Sequence, residues 1–379
     1  MASAALPVGH RVVITELGED PEEALARFVT IEPMAAPEPS TLGPRDVLIA
    51  VASAAVGWVD LLMTSGQYQH AARPPYTPGL EYAGRVVWRG AEAATRLAVG
   101  DEVLADGFLT GPRSLGAHQR WGGFASYAVA PMEAVLPLPR GLSFDEAASL
   151  LSSYETAYHC LVTRGRLRAG ETVLVHGASG STGLAAVHVA KLLGATVIAT
   201  GRSAGKLAAV AAAGADHVIA VATSDGSAAA DDAMSRDLRD QIKALTGGRG
   251  VDVVHDGVGG PISAASLRCM RFGARYLIVG WAATPGVARG KGGRGAPNAN
   301  QLPTNLIMMK GLDVLGCPMV ISTVEDPALR PPRLAAILAW VDDGRLRPLV
   351  SRVFALSEVR TALLAKWRGE VVGACVLRP

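Results

Sequence analysis

Apolar positions along the chain fall into two kinds of pattern. From the start through FASYAVAP they come in short runs, HRVVITEL, DVLIAVASAAV, YAGRVVW and DEVLA, broken by Gly, Pro and Asp. Short β-type runs separated by turn residues predict a mostly β, barrel-like domain. From SFDEAASLLSSYETAYHCLV onward, helical periods alternate with compact apolar runs: ETVLVHG, LAAVHVAKLLG, TVIATG, KLAAVAAAG, HVIAV, DLRDQIKALTGG, VDVVHDGVG, ISAASLRCM and ARYLIVGW. That alternation predicts a parallel sheet with helices on both faces. After LDVLGCPMV the chain returns to one helix, PPRLAAILAWVDDG, and two short strands, LVSRVFAL and VVGACVL. Three stretches lack a period: 107–120, 222–234 and 286–300. They read as solvated surface loops, with a substrate lid or phosphate-grasping loop as the alternative.

Where the first parallel strand ends, VLVHGASGSTGLAAVHVAK runs through Gly177, Ala178, Ser179, Gly180, Ser181, Thr182 and Gly183 into a helix. Glycines at that spacing let the backbone turn tightly and approach a pyrophosphate, whose charge then sits on the amides at the helix start. The flanking strand and helix, and a second strand GATVIATG, make dinucleotide binding the reading. An NAD site usually closes that second strand with an acid for the ribose hydroxyl. Here the segment is ATGRSAGK, and Gly201, Arg202, Ser203 and Lys206 offer room, a hydroxyl and positive charge. Those groups suit a 2′-phosphate, so NADP(H) is the expected cofactor; a solvated helix start is the alternative for Arg202 and Lys206. Gly257, Val258 and Gly259, and Val279, Gly280 and Trp281, close later strands at the edge where doubly wound sheets bind ligands.

Length and composition set the frame for these motifs. The 379 residues suit two domains, and 49% hydrophobic with 18% charged residues suits a globular α/β chain. A net charge of +2 gives no general reason to bind nucleic acid or an anionic membrane. The cysteines Cys160, Cys269, Cys317 and Cys375 stand far apart in sequence with no C-x-x-C pair, which predicts reduced, buried thiols. The N-terminal stretch lacks a charged segment followed by an apolar core, and no apolar run is long enough to span a bilayer, so a cytoplasmic location is expected. His159, His176, His188 and His255 show no metal-ligand spacing and are expected to be satisfied structural histidines. Arg352 reads as a packing or charge-pairing residue.

The order of these segments, with PPYTPGLEYAGRV and VGDEVLA in the front half and LPTNLIMMKGLDVLG and GRLRPLVSRVFALSEVRTALLAKWRGEVVGACVL behind, resembles the zinc-free quinone oxidoreductase (zeta-crystallin-like) branch of the medium-chain dehydrogenase/reductase superfamily. The resemblance covers nearly the whole chain. It implies a GroES-like catalytic domain from 1–145 and 317–379, a Rossmann domain from 146–316, the cofactor in the cleft between them, and a homodimer through the edge strand at LDVLGCPMV. Zinc-dependent relatives carry a Cys and a His where this chain has Gly57 and Leu80, neither of which offers a lone pair, so no metal is expected. Hydride transfer from NADPH to a quinone is the leading expectation. Reduction of an enone or enal double bond is the runner-up, and a low-turnover NADPH-binding protein the third reading. The branch commonly has Asn at the Gly57 position and Tyr at the Leu62 position. Trp58, Asp60, Leu62, Tyr68 and Thr156 are the pocket candidates, each with packing or capping as its plainer alternative, and Tyr76 is a further candidate for the pocket rim. No catalytic triad or carboxylate pair stands out.

Overall fold

A computed structural model describes residues 6–68, 72–114, 117–221, 227–283 and 300–379. Contacts divide the chain into two units, one of Met1–Ser152 with Arg347–Pro379, the other of Ser153–Gly286 with Pro297–Leu346. The chain enters the first unit through β1 (Gly9–Ile14), α1 (Pro21–Arg27) and β2 (Val29–Met34), with β1 and β2 antiparallel. Asp20 caps α1 by accepting the Glu23 amide at 2.9 Å. There follow β3 (Asp46–Ala55), α2 (Trp58–Thr64), β4 (Tyr82–Arg89), β5 (Glu102–Ala105), β6 (Tyr127–Pro131), β7 (Val135–Pro137) and α3 (Phe144–Ala148). Val12 on β1, Ile49 on β3, Val86 on β4 and Phe124 just ahead of β6 lie in one buried apolar core.

The second unit opens with α4 (Leu151–Tyr158), which widens into a π-helical stretch, His159–Arg164. Strands and helices then alternate: β8 (Thr172–Val175), α5 (Ser181–Leu192), β9 (Thr196–Gly201), α6 (Ala204–Ala212), β10 (His217–Ala220), α7 (Ala228–Leu245), β11 (Val251–Asp256), α8 (Pro261–Cys269) and β12 (Met270–Ile278). The unit closes with α9 (Thr304–Lys310), β13 (Asp313–Gly316), α10 (Met319–Glu325) and α11 (Arg330–Asp342). Among the described residues six parallel strands lie in the order β10-β9-β8-β11-β12-β13. The order reverses between β8 and β11, which is where open α/β sheets leave a ligand crevice. This is the doubly wound sheet the alternating pattern predicts. The chain ends in the first unit with β14 (Val350–Ala355), α12 (Val359–Trp367) and β15 (Ala374–Arg378), and its main sheet runs β14-β15-β3-β4-β5-β7 with β6 against β3.

Three expectations change. Residues 317–346 sit in the second unit and not with the C-terminal strands, because α4 and α11 are joined by a buried ion cluster: Glu155 accepts from Arg333 at 2.8 Å and from Arg330 at 2.9 Å. Within 107–120, the stretch 107–114 is no solvated loop, while 117–120 lies at the surface as expected. Arg113 is buried, donates to the Gly107 carbonyl at 3.1 Å and lies over the Phe108 ring, while Thr110 bonds the Val129 carbonyl. In 222–234, the part from Ala228 is the start of α7, capped by Ser227 and anchored by buried Met234. Of 286–300, all but Asn300 lies outside the described residues. The segment SFDEAASLLSSYETAYHCLV forms α3, α4 and the π-helical stretch, with Ser149 closing α3.

Candidate active site

The glycine turn forms at the carboxyl end of β8. Gly177 has φ of +62°, a left-handed conformation, and a Cβ there would meet Val258 Cγ2 at 2.9 Å. Gly183 lies one turn into α5, against the turn itself: a Cβ would stand 2.3 Å from the Gly177 carbonyl oxygen and 2.8 Å from Ala178 Cα. These two positions exclude side chains for different reasons, one conformational and one steric. Gly180 is the N-cap of α5 and has no side chain to satisfy the first-turn amides, which lack intrahelical partners by helix geometry. Ser179, Ser181 and Thr182 ring the same helix start. Such an end attracts a phosphate through its amides and its dipole.

A buried histidine fixes the turn to its neighbours. His176 precedes Gly177 and bonds Thr200 Oγ1 at 2.7 Å through Nδ1 and Ser266 Oγ at 2.6 Å through Nε2. Ser266 donates to the Ile262 carbonyl, so Nε2 carries the ring proton and Nδ1 accepts from Thr200. Burial holds His176 below its ordinary value, against the attraction of Asp256, and keeps it neutral. The Thr200 carbonyl in turn accepts the Ala178 amide at 3.1 Å. The end of β9 and the glycine turn are therefore one assembly. Beyond Thr200 come Gly201, then exposed Arg202 and Ser203, with Ser203 the N-cap of α6 and Lys206 in its first turn.

Asp256, which the sequence reading passed over, shapes the next loop. Its Oδ1 accepts the Val258 amide at 2.8 Å and the Gly259 amide at 3.0 Å. Its Oδ2 accepts Ser263 Oγ at 2.5 Å and the Tyr276 hydroxyl. Burial alone would raise this carboxyl; the two hydroxyls and the Gly259 amide outweigh it and hold it below the carboxylate range. The signal for it was local: an Asp before Gly-x-Gly bonds the backbone of the turn that follows. The Gly257 and Val258 carbonyls then accept the Ala282 and Ala283 amides at 3.2 and 2.7 Å, and Val279 donates to the Asp256 carbonyl. The structure thus brings Gly177, Gly257, Val258, Gly259, Val279, Gly280 and Trp281 together at one edge of the sheet. This arrangement fits a dinucleotide: a helix start whose N-cap, Gly180, carries no side chain, the glycines Gly177, Gly257 and Gly259 beside it, and Arg202 and Lys206 beyond the end of the second strand.

The pocket candidates divide between the units: Thr156 lies on α4 in the second, Trp58, Asp60, Leu62 and Tyr68 in the first. Trp58 stacks on Trp367, centroids 5.4 Å apart, and Tyr68 packs on the apolar core. Asp60 is 2% exposed and bonds backbone, accepting the Gly57 amide at 2.9 Å and the Gly79 amide at 3.0 Å. Burial raises it to about 6 in spite of those amides and nearby Arg113. Its geometry is that of a loop-ordering cap. Glu81, beside Leu80, accepts the Ser152 amide at 2.6 Å, and loss of hydration raises it to about 7. Tyr76 is buried in the core, paired with Ile14 across the backbone, and does not form a rim.

The zinc ion of related dehydrogenases does not fit these residues. Gly57 contributes only backbone at the N-cap of α2, Leu80 is a buried core side chain, and the neighbouring carboxylates of Asp60 and Glu81 are occupied by amides. Among the described residues no three His, Cys, Asp or Glu side chains converge as a metal would require. Two of the four histidines also depart from expectation. His176 and His188 are satisfied, the latter by the Tyr154 hydroxyl at 2.8 Å, whereas both ring nitrogens of His159 and of His255 are buried without a hydrogen-bond partner among the described residues. Arg352 lies over the Phe354 ring and 3.9 Å from Glu370.

Comparison with known proteins agrees with this architecture. Residues 43–140 match the alcohol dehydrogenase GroES-like domain family and residues 181–330 the zinc-binding dehydrogenase family. Quinone oxidoreductase-like protein 2 homolog of Nematostella vectensis is 32% identical over 337 residues, 87% of this chain and 82% of that protein. The solved structure of a probable oxidoreductase from Mycobacterium abscessus superposes with a TM-score of 0.76 at 28% identity, covering 98% of this chain and 99% of that one. A mycobacterial protein complexed with NADPH, 24% identical over 98% of this chain and all of its own, has the same fold at a TM-score of 0.76. The chain belongs to the medium-chain dehydrogenase/reductase superfamily, in its quinone oxidoreductase branch, and is an oxidoreductase.

Proposed function

We propose that this protein transfers hydride from NADPH to a quinone without a metal ion. The observation that carries the cofactor reading is the joined assembly of the glycine turn and the end of β9, where Arg202 and Ser203 stand exposed and no acid follows. The α5 amides hold the pyrophosphate, Arg202, Ser203 and Lys206 take the 2′-phosphate, and the edge from Gly257 to Gly259 and Val279 to Trp281 supplies the remaining contacts. When bound, NADPH supplies the hydride. A quinone delocalises the charge it receives, so the chain's task is to hold it in place, and a dedicated acid is not required. Trp58, Leu62 and Tyr68 give the acceptor an apolar surface, Asp60 keeps the α2 loop in shape, and Thr156 on α4 faces the nicotinamide. The protein acts in the cytoplasm as a homodimer formed through β13, the last strand of the sheet among the described residues.

A second reading, reduction of an enone or enal double bond, uses the same fold, cofactor and apolar surface. Gly57 and Leu62 remove the polar groups usual at these positions in the branch, which favours a third reading, a low-turnover NADPH-binding protein. NADPH and NADH oxidation followed in parallel with a panel of quinones and enones tests both. Quinone-dependent turnover with NADPH preferred supports the first reading, and enone-only turnover replaces it with the second. Tight NADPH binding with no acceptor reduced overturns both in favour of a binding protein.

A further inference from the structure

The cysteines, far apart in sequence, are not equivalent in space. Cys269 donates to the Ala265 carbonyl of its own helix, and burial pushes its thiol up to about 12; burial also raises Cys375. Cys160 and Cys317 are different, since their thiols are hydrogen-bonded to each other. Cys160 lies in the π-helical stretch and is fully buried; Cys317 directly follows β13 and keeps 6% of its surface exposed. The segments carrying them are held side by side. Arg164 donates to the Gly316 carbonyl at 2.9 Å, Arg166 lies 3.6 Å from Asp313, and the Cys317 amide donates to the Ile278 carbonyl at 3.0 Å. The Cys317 thiol also lies 3.6 Å from the Leu315 carbonyl of its own segment. The bond between the two thiols, with Arg164 nearby, lowers Cys317, while the same bond and burial raise Cys160.

We propose that Cys160 and Cys317 form a redox-responsive dithiol, in which a hydroperoxide oxidises Cys317 and Cys160 then closes an intramolecular disulfide. The Cys317 thiolate attacks the O–O bond, giving a sulfenic acid and releasing an alcohol or, from hydrogen peroxide, water. Cys160 loses its proton as its sulfur attacks the sulfenic sulfur and expels hydroxide, which takes up that proton as water. Two thiols and one peroxide thus become one disulfide, one alcohol (or water) and one water, a two-electron change. The sulfurs need only move from hydrogen-bond contact to about 2 Å. The more exposed thiol with the lower pKa attacks first, as thiolate chemistry requires. The bond would tie the helix carrying Thr156 to the end of the edge strand.

The test is thiol titration and peptide mapping of the native protein after hydrogen peroxide, before and after dithiothreitol. The expected result is loss of two of the four free thiols, one Cys160–Cys317 cross-linked peptide within a single chain, and full recovery on reduction. Cys160→Ser should leave Cys317 as a sulfenic acid that dimedone traps, and the Cys269→Ser, Cys375→Ser double variant should still form the bond. The proposal is overturned if Cys160 and Cys317 remain free thiols in oxidised wild-type protein, if the bridge joins two chains, or if oxidation falls first on Cys269 or Cys375. Mapping of the wild-type chain decides the matter even where a variant fails to fold.

Discussion

Replacing Gly183 with alanine isolates the glycine turn's role in holding a pyrophosphate. The added Cβ would stand 2.3 Å from the Gly177 carbonyl oxygen and 2.8 Å from Ala178 Cα, both backbone atoms, whereas real contacts of this kind stay above 3.0 Å. The helix start must therefore back away from the turn by at least the 0.7 Å between 2.3 and 3.0. Overpacking of this sort costs about 1–3 kcal/mol, offset by up to about 1 kcal/mol because alanine favours helix over glycine. The protein should stay folded, with a small fall in Tm. Moving the α5 amides off the phosphate oxygens weakens charge-assisted hydrogen bonds worth about 1.5–3 kcal/mol each, so affinity should fall roughly 10- to 100-fold. The pyrophosphate is common to both nicotinamide dinucleotides, so NADPH and NADH should lose affinity in the same proportion. Gly205→Ala is the matched control: it also lies in the first turn of a helix, but its Cβ would meet nothing within 4 Å, and it should bind like wild type. Kd values from quenching of intrinsic fluorescence, with Tm from calorimetry, measure all three proteins. If Gly183→Ala binds both dinucleotides as wild type does, the turn does not hold the pyrophosphate.

Other perturbations separate the remaining parts of the site. Arg202→Ala should weaken NADPH roughly 10- to 100-fold and leave NADH almost unchanged, a shift in ratio that Gly183→Ala does not produce; paired titrations read it. Asp256→Asn should cost about 2–3 kcal/mol by disturbing four donors around one carboxylate. Because Asp256 is held below its ordinary value, its stabilisation is complete above that value and is lost as pH falls through the folded one. The variant should then lose less stability than wild type on acidification, which denaturant titrations at several pH values would show. His255 runs by the same linkage in a different window: burial lowers it from 6.5 to about 4, so the unfolded chain takes up its proton first. Stability should fall between those two values by about 3 kcal/mol, and His255→Leu should flatten that part of the profile.

The fold was legible because each level of the sequence agreed with the next. β-type runs gave the strands of the first unit, alternation gave the parallel sheet, and Gly177, Gly180 and Gly183 fell between a strand and a helix as their chemistry needs. Contacts between distant segments were not legible. Nothing near Glu155 in sequence announces Arg330 and Arg333, and that buried cluster places α11 in the second unit. Arg113 looks like a loop cation until the Gly107 carbonyl and the Phe108 ring are seen around it. The Cys160 and Cys317 contact depends on β13 lying beside the π-helical stretch, which no local pattern encodes. On the acceptor side, Asp60 showed its capping spacing, three residues after Gly57, but not its second bond to Gly79.

Hydride transfer from NADPH to the acceptor, proposed to need only the chain's own residues and no metal, is open to direct measurement. The most direct test is the rate of NADPH oxidation with a quinone by protein stripped with a chelator and shown by elemental analysis to carry no zinc. Turnover by the stripped protein equal to that of the untreated protein, and unchanged on adding zinc, is the result predicted. Loss of turnover on stripping, with recovery when zinc is restored, would contradict it.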